Sequence, residues 1–281
     1  MVLSFHPMVV AHRNLICAGR DPGEDELAEI RKASAVILPQ GCRESLFRMA
    51  RDNARHVFPD YTARFAFPGK TGQARLFEKY GVRAPKTLAF GSLCELPGDP
   101  AGVVQDHGMG FPLVFKLDWG GESDTVRPIE NAEDLRIALA HAKDCEATGQ
   151  KGFVLQEYID CGGRSLRVVK VGSRVSSYFR VASRENPFYS ALSKGAAADR
   201  DAEPEKQENG RAAATALCSR ACIDLAGLDL LFSGDDPEPY FLEINYFFGR
   251  KGLGGSENFY ETLLAAVDGW LAERGLSRKN G

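Results

Sequence analysis

Two short apolar runs, Asn14-Leu15-Ile16-Cys17 and Ala35-Val36-Ile37-Leu38, end in turn residues, and each gives way to a helical pattern, over 22–33 and 43–53. Strand signals alternating with helix signals predict a small parallel α/β unit, with 55–59 as its third strand. A unit of roughly 65 residues buries too little surface to stand alone, so it is expected to pack on the rest of the chain.

Pro68-Gly69 marks a boundary. Residues 71–80 then read as a helix closed by Gly81, and Pro85 starts an extended segment. The Gly-, Pro- and Asp-rich stretch 91–110 reads as a long surface connection. Residues 112–117 form an apolar strand with Lys116 near its end, followed by a loop over 119–123. A helix is expected over 131–146, with Asn131 as its N-cap and Glu133 and Asp134 in its first turn. Beyond it come a strand at 153–159 and a hairpin, 165–171 with 174–181, across Gly172-Ser173. The charged stretch 200–210 reads as a solvated connection into a helix over 211–226. Strands at 228–232 and 239–244 and a terminal helix over 258–274 complete the pattern. The fold class is therefore α/β at the N-terminus, passing into an α+β arrangement.

Charge narrows the partners. Lys and Arg number 35 against 38 Asp and Glu, a net charge of −3. No overall positive field is available to hold nucleic acid or an anionic membrane. The apolar runs fall far short of the ~20 residues that span a bilayer, and the first residues lack a positively charged segment before their apolar stretch. Seven cysteines are scattered along the chain, which does not suggest a disulfide framework. A cytoplasmic protein is expected.

Two places carry candidate chemistry. Lys116 ends a strand ahead of Gly120-Gly121. Adjacent glycines let backbone amides approach a phosphate, and the lysine supplies a point charge for the same anion. No GxxxxGK[ST] or GxGxxG is present, so neither a P-loop nor a Rossmann site has a basis. The second place is C-terminal. Asp229 lies in Leu228-Asp229-Leu230-Leu231-Phe232, and Glu243 and Asn245 in Tyr240-Phe241-Leu242-Glu243-Ile244-Asn245. A carboxylate within an apolar strand is costly unless paired or bound to metal. Residues 243 and 245 share a strand face, and Asp229 can reach them from a neighbouring strand. Three oxygen donors converging on one point suit magnesium; an ordinary ion pair at Glu243 accounts for the same residues without a metal.

In this order the motifs resemble the ATP-grasp superfamily, in its RimK-type and glutathione synthetase-like branch, from Lys70 to about Gly255. Lys70 with Gly81-Val82-Arg83-Ala84-Pro85-Lys86-Thr87 is similar to the family's first lysine, helix and turn, and Phe111 to Lys116 to its second lysine. Gln156-Glu157-Tyr158-Ile159 resembles the strand that holds adenine, Gly162 to Arg167 the turn and strand after it, and Lys194-Gly195 a basic step near the acceptor site. The family often has Asp where Ser165 stands. It has a small residue, Pro and Gly where this chain has Tyr246-Phe247-Phe248-Gly249.

The resemblance implies a short N-terminal domain over 1–66 and an ATP-grasp domain over 67–281, divided into 67–155 and 156–281, with nucleotide between two β-rich halves. It implies ATP on Lys70, Lys116, Gly120, Gly121, Glu157, Tyr158 and Ile159, and Mg2+ (or Mn2+) on Asp229, Glu243 and Asn245. Arg167 and Arg180 would act on the transferring group, with Lys194 as a catalytic residue near the acceptor; Arg180 also reads as an exposed strand charge. The activity implied is a C–N bond-forming, ADP-forming ligation of a carboxylate and an amine, small molecule or peptide, through an acyl phosphate. The chain could work as a homo-oligomer. A nucleotide-responsive binding module that has lost ligation is the alternative reading.

Overall fold

A computed structural model describes residues 1–120, 125–183, 188 and 195–278, whose strands form three sheets. The first sheet is parallel. β1 (Val2–Ser4) lies between β2 (Arg13–Asn14) and β3 (Ala35–Ile37), and β4 (Val57–Phe58) borders β3. α1 (Glu24–Lys32) and α2 (Glu44–Asn53) cover one face, where Ile30, Leu46 and Phe47 meet Leu3, Val36 and Leu38. The pattern reading omits β1, whose three residues are all buried, and draws the neighbouring strand too long. β2 is a two-residue exposed edge, so burial gives it no apolar signature.

The other face of this sheet shares its core with the far end of the chain. Val2, Ala35, Ile37 and Phe58 pack with Val169, Val171 and Leu225, and with Phe259, Leu263 and Val267, which lie on the terminal helix. The small unit thus completes its core on later residues, as its size requires.

After α3 (Thr62–Ala66), α4 (Gly69–Tyr80) ends at Gly81 in the left-handed conformation, φ 58°. The second sheet is antiparallel, in the order β5 (Thr87–Phe90), β8 (Phe153–Glu157), β6 (Leu113–Leu117), β7 (Val126–Ile129). The Asn131 side chain accepts from the Glu133 and Asp134 amides at 3.0 Å each. It caps α6 (Ala132–Ala147), which packs on this sheet through Leu135, Ala138 and Leu139. The stretch 91–110, read as surface connection, contains α5 (Pro100–Asp106). Asp99 caps it and Val104 buries it. Seven residues are too few to display helical periodicity amid Gly and Pro.

The third sheet runs β11 (Ala197–Asp199), β10 (Arg174–Val181), β9 (Arg164–Val171), β12 (Leu225–Leu231), β13 (Tyr240–Asn245), all antiparallel. One face carries Leu166, Val168, Leu228 and Leu230 against Ala214, Leu217 and Cys218 of α7 (Pro204–Arg220). That helix starts at Pro204, so much of the charged stretch read as a connection is helical. Gln207 and Gly210 face the sheet while Glu205 and Glu208 face solvent, and this charged outer side hides the periodicity. The helix also stops earlier than the pattern suggests, because Leu225 and Ala226 already pair with Val171 and Lys170. α8 (Ser256–Ala272) closes the chain over the first sheet and the end of the third.

α4 also packs Leu76 and Phe77 into the core beneath the third sheet, and its first turn allows no side chain at Gly72. A Cβ there would stand 2.7 Å from the Phe67 carbonyl oxygen and nearer still to the carbonyl carbon. Gly72→Ala is therefore expected to cost about 1–3 kcal/mol by overpacking, although alanine is the better helix former by about 1 kcal/mol. Urea unfolding checks this; a stabilised variant would contradict the packing described.

Candidate active site

The second and third sheets enclose a cavity of about 1350 Å3. Lys116, Glu157, Tyr158 and Ile159 line it from the second sheet and the segment after β8. Arg167, Arg180, Asp229, Glu243 and Asn245 line it from the third, and Lys70 from the start of α4.

Strand register explains the charged wall. Asp229 sits opposite Arg167 on one side and Glu243 on the other, and Tyr178 sits opposite Arg167. Paired residues project to one face of a sheet, as do residues two apart, so Tyr178, Arg180, Arg167, Asp229, Glu243 and Asn245 share the cavity face. Leu166, Val168, Leu228 and Leu230, between them in sequence, take the other. Gly227 leaves room for the wall, since a Cβ there would stand 2.9 Å from Arg167 Nη1.

Asp229 is buried, 4% exposed, and surrounded by donors. Arg167 donates through Nε to Oδ1 and through Nη2 to Oδ2 at 3.0 Å. Arg180 Nη2 reaches Oδ1 at 2.9 Å, and Asn245 Nδ2 donates to Oδ2 at 3.2 Å. Burial pushes the Asp229 pKa up, and the two guanidiniums more than reverse it, holding the carboxyl below its usual range. Arg180 Nε also donates to Ser165 Oγ at 3.1 Å. Glu243 differs: among the described residues no donor hydrogen-bonds to its carboxylate, although Lys70 and Lys116 are near enough to feel its charge.

The two lysines are held differently. Lys116 Nζ is buried and donates to Gln156 Oε1 at 2.6 Å, and Gln156 Nε2 donates to Thr87 Oγ1 at 2.9 Å. Burial lowers the Lys116 pKa to about 8, against the opposing pull of Glu243. Lys70 Nζ donates to the Gly120 carbonyl at 3.2 Å, which ties the first turn of α4 to the glycine loop. Asp118 reinforces the tie by accepting from the Thr71 amide at 2.7 Å. Gly120 has φ 87°, and a Cβ there would meet Thr125 at 2.6 Å. It lines a smaller adjoining cavity that shares Lys70, Glu243 and Asn245 with the main one. Burial lowers the Lys70 pKa too, while Glu243 and Asp118 oppose it.

At the far end Glu157 folds onto the backbone, its Oε2 accepting from the Lys86 amide at 3.2 Å while its own amide donates to the Lys86 carbonyl at 2.8 Å. Tyr158 is exposed and stacks on Phe188 at 6.3 Å between centroids. Gly121 and Lys194 lie outside the described residues.

Sequence reasoning missed Gln73, and it named Gln156 in the adenine-strand motif without its role as the partner of Lys116. Gln73 donates to the Ile244 carbonyl at 2.9 Å and accepts from its amide at 2.8 Å, pinning α4 to β13 between Glu243 and Asn245. Its place three residues after Lys70, on the same helix face, was the available signal.

Residues 70–262 match the family described as the RimK-like ATP-grasp domain. The chain belongs to this family. Its relatives include two proteins named probable alpha-L-glutamate ligase. That of Parasynechococcus marenigrum is 26% identical over 182 residues, covering 64% of this chain and 36% of the relative. That of Sodalis glossinidius is 26% identical over 208 residues, covering 73% and 66%. The chain thus spans about a third to two thirds of the length of these relatives. Among solved structures, the RimK domain ATP-grasp protein of Sphaerobacter thermophilus aligns with TM-score 0.62 at 14% identity, over 95% of this chain and 98% of its own. D-alanine–D-alanine ligase of Bacillus anthracis complexed with ATP aligns with TM-score 0.63 at 14% identity, over 90% and 83%. The ATP-grasp fold is thereby established, and the cavity lies within the family's matched span.

The lowered Lys116 pKa has a measurable consequence. Between pH 8 and the ordinary lysine value of 10.5, the unfolded chain holds this proton and the folded chain does not. Stability then rises with pH across that window and is lost again as pH falls toward 8. Relative to Lys116→Met, the native chain should gain on the order of 2 kcal/mol between pH 8 and 10.5. Urea midpoints for both proteins measure it; a constant difference across the window would contradict the burial described.

Proposed function

We propose that this chain is an ATP- and divalent-cation-dependent carboxylate–amine ligase that works through an acyl phosphate. The observation that carries the reading is the wall where Lys70, Lys116, Arg167 and Arg180 meet Glu243 and Asp229 around one cavity. In this reading the chain divides into an N-terminal unit over 1–66 and an ATP-grasp domain over 67–281, whose parts, 67–155 and 156–281, hold the nucleotide between them. Adenine lies against Glu157, Tyr158 and Ile159. Lys70, Lys116 and the Gly120-Gly121 loop hold the phosphates.

The donor set fits a hard divalent cation. Glu243 offers a carboxylate that no described donor occupies. Asn245 turns its Nδ2 to Asp229, which leaves Oδ1 as a donor oxygen. Among the described residues no group of three or more His, Cys, Asp or Glu is placed to hold a metal, so Asn245 is needed alongside Glu243 and Asp229. Oxygen donors of this kind suit Mg2+ or Mn2+. Such an ion, when bound, neutralises charge on the phosphate oxygens.

The substrate carboxylate attacks the γ-phosphorus and ADP leaves, giving the acyl phosphate. The amine then attacks the acyl carbon, and inorganic phosphate leaves with the bonding pair as the amide forms. Arg167 and Arg180 stand where a guanidinium can steady the transferring group in its fixed fork, and Lys194 is assigned to the acceptor side. Arg250 and Lys251 line the same cavity, and among the described residues no carboxylate pairs with either. They favour an acidic substrate, small molecule or peptide, in keeping with the names of the alpha-L-glutamate ligase relatives. Among the described residues no helix is long and apolar enough to cross a membrane, and we propose a cytoplasmic setting.

A nucleotide-responsive binding module remains the second reading, favoured by Phe247, exposed where the family has its small-Pro-Gly turn. ADP formation separates the two, because only a ligase releases ADP in proportion to added carboxylate and amine. Nucleotide binding itself is tested by thermal unfolding with ATP and Mg2+. At about 100 times the dissociation constant the ligand stabilises by about 2.7 kcal/mol. The shift should need the cation and vanish in Glu243→Ala. No shift in the native chain at millimolar ATP would contradict the nucleotide site.

A further inference from the structure

Every acceptor position on Asp229 is taken. Oδ1 receives Arg167 Nε and Arg180 Nη2, and Oδ2 receives Arg167 Nη2 and Asn245 Nδ2. A carboxylate has about four lone-pair sites, so no place is left for a further partner unless one of these donors leaves. By contrast, among the described residues no donor hydrogen-bonds to Glu243, which is paired with Asp229 in register on the next strand.

The arginines are committed to the same degree. Arg167 and Arg180 are both buried, 8% exposed each, and both spend their charge on Asp229. Two functions therefore converge on one carboxylate, which neutralises the guanidiniums and stands among the residues offered to a divalent cation.

We infer that Asp229 is an exchange point: paired with Arg167 and Arg180 it withholds them from anions, and when it turns to a divalent cation it releases them to the phosphoryl group. This inference rests on the nucleotide reading above and adds an order to it. The cation and the anion bind cooperatively because each takes one partner of the same ion pair. Such coupling is reciprocal, since whatever frees the arginines strengthens anion binding and whatever frees the carboxylate strengthens cation binding. Asp229 is thus a positioning residue for the arginines as well as a donor.

The test uses the whole chain and two binding measurements. In metal-free buffer with EDTA, calorimetric titration of ATP compares native protein, Asp229→Asn and Glu243→Gln. Asp229→Asn should bind metal-free ATP roughly fivefold or more tightly than native, because it unlocks two guanidiniums. Glu243→Gln removes the same charge from the same wall but frees no guanidinium, so its gain should be clearly smaller. In the reverse direction, Mn2+ alone is titrated by electron paramagnetic resonance without nucleotide. Arg180→Met should bind Mn2+ more tightly than native, and by a larger factor than Lys116→Met, which removes a cation that Asp229 does not pair with.

Equal gains for Asp229→Asn and Glu243→Gln, or no gain for Asp229→Asn, would overturn the exchange. So would an Arg180→Met chain whose Mn2+ affinity rises no more than that of Lys116→Met, a comparison that stands even if Asp229→Asn fails to fold. Native protein that binds ATP with Mg2+ while the variants show no such gains removes only this inference. Native protein that binds no ATP removes the nucleotide reading itself.

Discussion

A carboxylate kept ionised inside a protein wall needs compensation, and the ion pairs of Asp229 with Arg167 and Arg180 supply it. Burial of an unpaired charge at this position would cost several kcal/mol or neutralise the group. The compensation depends on three strands, because Arg180 comes from β10, Arg167 from β9 and Asp229 from β12. A slip of one residue in β9 would turn Arg167 toward α7 and bring Leu166 or Val168 to the cavity. The apolar packing of Leu166, Val168, Leu228 and Leu230 under α7 opposes that slip, so the core on one face of the sheet fixes the chemistry on the other.

The second sheet adds cations of a different kind. Lys116 is held by a relay through Gln156 to Thr87, and among the described residues no carboxylate is in hydrogen-bond contact with it. Its charge is less stable than that of an exposed lysine, which prepares it for an anion that brings compensating charge. Lys70 reaches the cavity from α4, and that helix is bound to the third sheet by Gln73 on the backbone of Ile244. The lysine side of the cleft is therefore built from two sheets, with α4 packed against both. The N-terminal unit contributes by sharing a core with β9, β12 and α8, which seats the end of the third sheet on the face of the charged wall.

Local signals make part of this architecture legible in the amino-acid sequence. The Gly81 stop, the Asn131 cap and the 172–173 hairpin turn each depend on a few adjacent residues, and each stands where the pattern places it. Carboxylates inside the apolar strands 228–232 and 239–244 likewise mark the cavity wall. Elements without local contrast escape. β1 offers only three residues, α5 hides among Gly and Pro, and the outer face of α7 masks its buried one. The partners of Asp229 escape for another reason. Strand alternation tells which face a side chain takes, but not which strand lies beside it. Arg167 is 62 residues away from Asp229 in sequence, and only the order β10-β9-β12-β13 brings them together. That pairing alters the meaning of Asp229 from a plain metal donor to a residue shared with two arginines.

The most direct test of the proposed nucleotide cleft is a crystal structure with a non-hydrolysable ATP analogue and Mg2+. The account predicts adenine density beside residues 157–159 and the triphosphate between Lys70 and Lys116, facing Glu243. An analogue bound elsewhere on the molecule, with this cavity empty, would contradict it.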